Sequence, residues 1–188
     1  NLYGYWANQV LEGNGILGVN LPWVYPFVAL GPILLAKLIG GSAGMLTGWL
    51  IFIGAVNLIG VSAIVDWGQE GKAAFRSAFF YLAFIAFLGP VAIGRIDSAA
   101  AFFAVLGLVQ VYRNRIRAGM VFFTLGAWIK IWPIAAALAL FSSTKAKLKS
   151  IFGVVATLVV ILLTGFALGA NQNLFSFVKI GRASCRER

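Results

Sequence analysis

Long apolar runs broken by short polar or glycine-rich segments set the pattern of this chain, and runs of that kind predict membrane helices. Residues 1–21 are rich in Asn, Gly and aromatics (Tyr3, Tyr5, Trp6) and carry one charge, Glu12. With no Lys or Arg they predict an extracytoplasmic loop. Pro22-Trp23-Val24-Tyr25-Pro26 opens a first apolar helix that runs to about Leu38, and Pro26 suits a first helical turn. Gly40, Gly41 and Gly44 break the run before a second helix over Met45 to Val65. A polar connector, Asp66 to Arg76, leads to a third helix over Ser77 to Ile93.

The turn Gly94-Arg95-Ile96-Asp97-Ser98 follows, then a fourth helix from Ser98 to Tyr112. That helix covers about 22 Å, short of the roughly 30 Å hydrocarbon core. Part of the Gly94–Ser98 turn is therefore expected at membrane depth. The next run, Gly119 to Phe141, is interrupted by Lys130 and by Pro133, which removes a backbone hydrogen bond. Ile151 to Leu168 reads as a plain spanning helix, and Asn171-Gln172-Asn173 begins another outer loop.

Composition strengthens the membrane reading. The chain is 61% hydrophobic and 11% charged, with a mean hydropathy of +0.94, far from the balance of a soluble domain. The expected fold is an all-α, polytopic transmembrane bundle. It has about five to seven membrane helices, some of them short, kinked or re-entrant. Residues 1–179 are expected to form a fragment of one transmembrane domain, missing its N-terminus because the chain opens at Asn1 without a methionine. Residues 180–188 break from everything upstream and match the translation of a common sequencing adapter, an artefact that takes Cys185 with it. Without Arg182, Arg186, Arg188 and Glu187 the net charge falls from +10 to +8.

The remaining charge is knotted. Arg113, Arg115 and Arg117 form one cluster, Lys145, Lys147 and Lys149 another, and Lys72 with Arg76 a weaker third. Set between apolar helices, these read as cytoplasmic loops rather than as a nucleic-acid surface. The Gly94–Ser98 turn and the Lys130–Pro133 break then both face outward. Residues 22–38 must be re-entrant or interfacial to keep the first loop outside; if they span instead, one basic loop breaks the rule. The localisation expected is the plasma membrane, multi-pass, with the active site facing out.

The chain has no histidine, no phosphate-binding loop of the P-loop spacing and no carboxylate cluster able to cage a metal. No cofactor is expected. The charges that stand at the breaks in apolar sequence are Arg95, Asp97 and Lys130. A charge at the centre of a membrane helix costs about 2.5–3.5 kcal/mol on insertion scales, which suggests a task. Cations near one face suit an anionic group at the bilayer surface, such as a lipid phosphate, held by Arg through two parallel bonds and by Lys as a point charge. Each residue also has a plainer role. Arg95 and Asp97 can pair, with Asp97 or Ser98 capping the fourth helix. Lys130 can snorkel, Trp23 and Tyr25 suit an interfacial belt, and Asp66 and Glu70 read as solvated loop charges.

Tyr25-Pro26, Leu88-Gly89-Pro90 with Gly94-Arg95-Ile96-Asp97-Ser98, and Lys130-Ile131-Trp132-Pro133 occur in an order that resembles the GT-C membrane mannosyltransferases. The pattern is similar to that of glycosyltransferase family 87, the polyprenyl-phosphomannose-dependent α-mannosyltransferases of actinobacteria, and to the mannosyltransferase of GPI-anchor assembly. The resemblance covers residues 3–179. It implies a hexosyltransferase moving mannose from a polyprenyl-phosphate donor to an extracytoplasmic glycolipid or glycan acceptor, in one inverting displacement. It gives donor-phosphate binding to Arg95 and Lys130, and substrate orientation to Asp97 and Tyr25. In that family the base is an Asp of the first outer loop, here expected upstream of Asn1, so the fragment alone is expected to be inactive. Glu12 is not a substitute for it. The expected partners are the donor, the acceptor and membrane lipid. A secondary transporter, whose broken helices and buried charges look alike in sequence, and a non-catalytic membrane subunit are the alternatives.

Overall fold

The computed structural model describes residues 2–66 and 72–178; Glu70 and the segment 180–188 lie outside the described residues. The protein is all-helical, 79% helix, and the described residues form no strand beyond a single bridge between Leu17 and Leu21. In chain order the helices are α1 (Leu2–Leu11), α2 (Leu30–Gly40), α3 (Met45–Val65), α4 (Lys72–Leu88), α5 (Pro90–Gly94), α6 (Asp97–Tyr112), α7 (Ile116–Ala127), α8 (Ile134–Ser143) and α9 (Lys147–Ala167). Short 3₁₀ turns occupy Phe27–Ala29, Gly41–Ala43 and Gln172–Phe175.

Two helices, α3 and α9, are long and apolar enough to cross a membrane by length and composition. At 21 residues each they measure about 31 Å. α7 and α8 have 12 and 10 residues, about 18 and 15 Å, so neither reaches across a hydrocarbon core by itself.

The described chain divides into two compact units: residues 2–52, 128–130 and 158–178 form the first, and 53–127 and 131–157 the second. In the first, α1 stands where a loop was expected. Its turns hold together by aromatic packing rather than by the length of an apolar run. The Tyr3 ring lies 4.7 Å from that of Trp49 and 5.8 Å from Trp6, and Trp6 lies 5.2 Å from Trp23. The end of α2 meets the start of α3 backbone to backbone. A Cβ on Gly48 would sit 1.9 Å from the Ala36 carbonyl oxygen and 2.5 Å from the Gly40 nitrogen, so only glycine fits. The segment after α9 is stitched onto residues 19–23. Asn171 N–H donates to the Val19 carbonyl at 3.2 Å, and Asn173 Nδ2 to that of Asn20 at 2.8 Å. Buried Ser176 accepts from Trp23 N–H at 2.9 Å and donates to Trp23 C=O at 3.1 Å.

In the second unit α6 and α7 pair along their lengths, with Asn114 in the left-handed region (φ 58°) at the turn between them. Met120, Phe123 and Ala137 form its buried core, with Val111, Leu140 and Val154 against it. The basic clusters have partners here. Arg113 Nη2 donates to the Asp66 carbonyl and reaches its carboxylate at 3.2 Å, so Asp66, 89% exposed and solvated, also has an ion-pair contact. The Arg117 guanidinium lies 4.6 Å from the Phe152 ring centre. Lys147 Nζ donates to the carbonyls of Phe141 and, at 3.1 Å, Ser142, satisfying acceptors at the end of α8.

Both apolar runs that carry the sequence motifs are interrupted more completely than a kink. The expected third helix stops at Gly89, whose φ of +55° suits glycine, and resumes at Pro90 as α5. The run over 119–141 loses helical structure from Trp128 to Pro133, and Pro133 occupies the N-cap of α8.

Candidate functional site

The Gly94–Ser98 turn is built by three local choices. α5 ends at Gly94, Arg95 takes extended backbone (φ −113°, ψ 150°), and Ile96, fully buried, pins the turn so that α6 can start at Asp97. The Ser98 hydroxyl donates back across the turn to the Ala92 carbonyl. The N-cap position falls on Ile96, with no side-chain cap, so neither Asp97 nor Ser98 takes that role. Asp97 instead sits in the first turn of α6, where a negative charge complements the helix dipole.

Arg95 Nε donates to Asp97 Oδ2 at 3.2 Å, with the two side chains 60% and 38% exposed. An ion pair this open to its surroundings adds little stability. Its effect is orientation: the bond engages Nε, and a guanidinium meets an anion through the N–H groups along its planar edge. Arg95, Asp97 and Ser98 line a cavity of about 400 Å³ together with Trp132, Asn57 and Tyr81. Phe84, Leu88 and Val91 supply its apolar wall. Thus the second unit gathers the Gly94–Ser98 motif and the Trp of the Lys130–Pro133 motif onto one cavity.

Asn57 and Tyr81 are the residues that motif reading missed. Tyr81 Oη donates to Asn57 Oδ1 at 2.7 Å, and Asn57 Nδ2 donates to the Ile53 carbonyl at 2.8 Å. The available signal was one amide deep inside the apolar run of α3. Tyr81, among Phe79, Phe80 and Leu82, gave none.

Tyr25 and Lys130 meet in the first unit. The Lys130 ammonium stands 5.3 Å from the Tyr25 ring centre, within cation–π range, and both residues are half-buried. Trp6 and Trp23 meet the Tyr25 ring edge-on, at 5.9 and 5.4 Å. Trp23 Nε1 is buried without a hydrogen-bond acceptor, in a ring that packs at near right angles on those of Trp6 and Tyr25. Each charged residue is therefore seated against a partner within its own unit: Arg95 on Asp97, Lys130 on Tyr25. Glu12 is exposed at the end of α1, where Asn14 Nδ2 donates to it at 3.3 Å. Among the described residues no three of His, Cys, Asp and Glu gather as a metal site.

No family model matches this chain, and neither do any curated protein or solved structure. The functional reading accordingly rests on the residues of the two motifs and the cavity they line.

Proposed function

We propose that this protein is a polytopic helical membrane protein that binds a polyprenyl-phosphate-linked sugar and serves transfer of its mannose to an extracytoplasmic acceptor. The observation that carries the reading is the Arg95 cavity. A guanidinium steadied by Asp97 opens into a space whose other wall is Phe84, Leu88, Val91 and Trp132. A cation beside hydrocarbon suits an amphipathic ligand with an anionic group, and a lipid phosphate has that form. The membrane reading is supported by α3 and α9 and by apolar side chains left outside on α4, such as Phe79, Phe80 and Phe87.

In the reaction the acceptor oxygen forms a bond to the anomeric carbon as the bond from that carbon to the phosphate oxygen breaks. The electron pair leaves with the polyprenyl phosphate, and the acceptor proton goes to a carboxylate base. Positive charge from Arg95 stabilises the departing phosphate. Asp97 serves by holding Arg95, and Tyr25 by holding Lys130.

The test is binding of mannosyl farnesyl phosphate to the chain in lipid nanodiscs. Arg95→Ala and Lys130→Ala should each weaken it about tenfold or more, the scale of a lost charge-assisted hydrogen bond. Arg95→Lys should fall between, because lysine lacks the planar fork. Undiminished affinity in both alanine variants would sink the reading. A secondary transporter is the second reading, favoured by the helix breaks at Gly89 and at 128–133. It is distinguished by a sugar that crosses a proteoliposome without leaving its carrier.

A further inference from the structure

The cavity's polar wall has two parts with different chemistry. Arg95 offers only donors and a positive charge, and so suits an anion. The Asn57–Tyr81 pair is neutral and mixed. The Tyr81 O–H and one Asn57 N–H are engaged, with Asn57 Oδ1 and the Ile53 carbonyl respectively. By inventory, one amide N–H and the remaining lone pairs of Tyr81 Oη and Asn57 Oδ1 are left to face a ligand. A phosphate, which only accepts, can use one of these. A hydroxyl both donates and accepts, and two neighbouring hydroxyls can use all of them. Trp132, 44% exposed, adds a broad apolar ring face to the same cavity, a surface that the C–H side of a sugar can lie on. A volume of about 400 Å³ lies in the range of small-molecule pockets, about 300–1,000 Å³.

We infer that Asn57 and Tyr81 read the hydroxyl groups of the lipid-linked sugar, and so decide that the cavity takes the glycosylated lipid phosphate in preference to the bare one. This rests on the reading of the Arg95 cavity as a donor site. The plainer role of the pair is as a hydrogen bond joining α3 to α4. That role alone gives it no reason to open onto the cavity that holds Arg95, Asp97 and Ser98.

The experiment compares two probes in nanodiscs, farnesyl phosphate and mannosyl farnesyl phosphate, against wild type, Tyr81→Phe and Asn57→Leu. Wild type should prefer the mannosylated probe by about tenfold. Tyr81→Phe, which keeps the ring and removes only the hydroxyl, should lower that preference about three- to tenfold while leaving farnesyl phosphate affinity unchanged, the size of one or two neutral hydrogen bonds. Asn57→Leu should also lower the preference for the mannosylated probe. Should Asn57→Leu fail to fold, the near-isosteric tyrosine variant carries the test. Equal binding of the two probes by wild type overturns the inference and leaves the phosphate site standing. So does an equal loss for both probes in Tyr81→Phe, which is the mark of a structural bond. Failure of both probes to bind wild type overturns the donor-site reading and this inference with it.

Discussion

Four polar side chains are buried among the described residues, and three of them answer to their own helix. The hydroxyls of Thr124, Ser150 and Thr157 each donate to the carbonyl four residues back. Ser176 alone of the four reaches across the chain, closing both backbone groups of Trp23, which is itself 3% exposed. Ser176→Ala strands a buried donor and a buried acceptor together, so it should destabilise the protein by about 2–4 kcal/mol. A thermal scan in detergent checks this: the midpoint should drop clearly, and an unchanged midpoint would show that water replaces the hydroxyl. At this scale the sequence was uneven in what it disclosed. Arg95, Asp97 and Lys130 stood out because a charge within hydrocarbon is costly. Asn57 and Tyr81 did not, because neutral polar side chains can satisfy themselves on a neighbouring carbonyl or on each other. Only the packing of α3 on α4 shows that they form a pair.

The α2–α3 corner shows how an element boundary can be set by one residue. The approach of Gly48 to Ala36 and Gly40 leaves no room for a methyl group, and the atoms it would meet are backbone atoms that cannot turn aside. Gly48→Ala should therefore cost about 3 kcal/mol or more through forced displacement of the two helices. Gly54→Ala, one helix position with nothing within 4 Å of its added carbon, should be neutral or slightly stabilising. Comparing the melting of the two variants separates close approach from helix propensity, and equal behaviour would refute the packing account. Helix ends were legible where glycine, proline or charge marked them: α3 begins and ends at Met45 and Val65 as the pattern required, and α6 ends at Tyr112. α1 was not legible, because its stability comes from Trp6, Tyr3 and partners distant in sequence rather than from its own ten residues. The break over 128–133 was visible as Lys130 and Pro133, but its extent was not, since proline alone accounts for a kink rather than a gap between helices.

For the molecule as a whole, the arrangement of basic clusters makes an orientation testable. Cys185 is the one cysteine in the sequence, so with it changed to serine a single introduced cysteine reports its side of the membrane. Under the proposed topology, Asn114→Cys and Ser143→Cys should react with a membrane-impermeant maleimide only after permeabilisation. Gln172→Cys should react in intact cells. The reverse pattern would invert the topology and remove the outward-facing site. All three positions are exposed, so failure to react reports sidedness and not burial. The clasp of Ser176 on Trp23 has a further meaning during synthesis. Its two partners are 153 residues apart, and a ribosome adding about 5–20 residues per second needs roughly 8–30 s to make the later one after the earlier. Trp23 is thus made well before the residue that fastens it. A ribosome halted anywhere between the two releases a product in which both backbone groups of Trp23 lack their clasp.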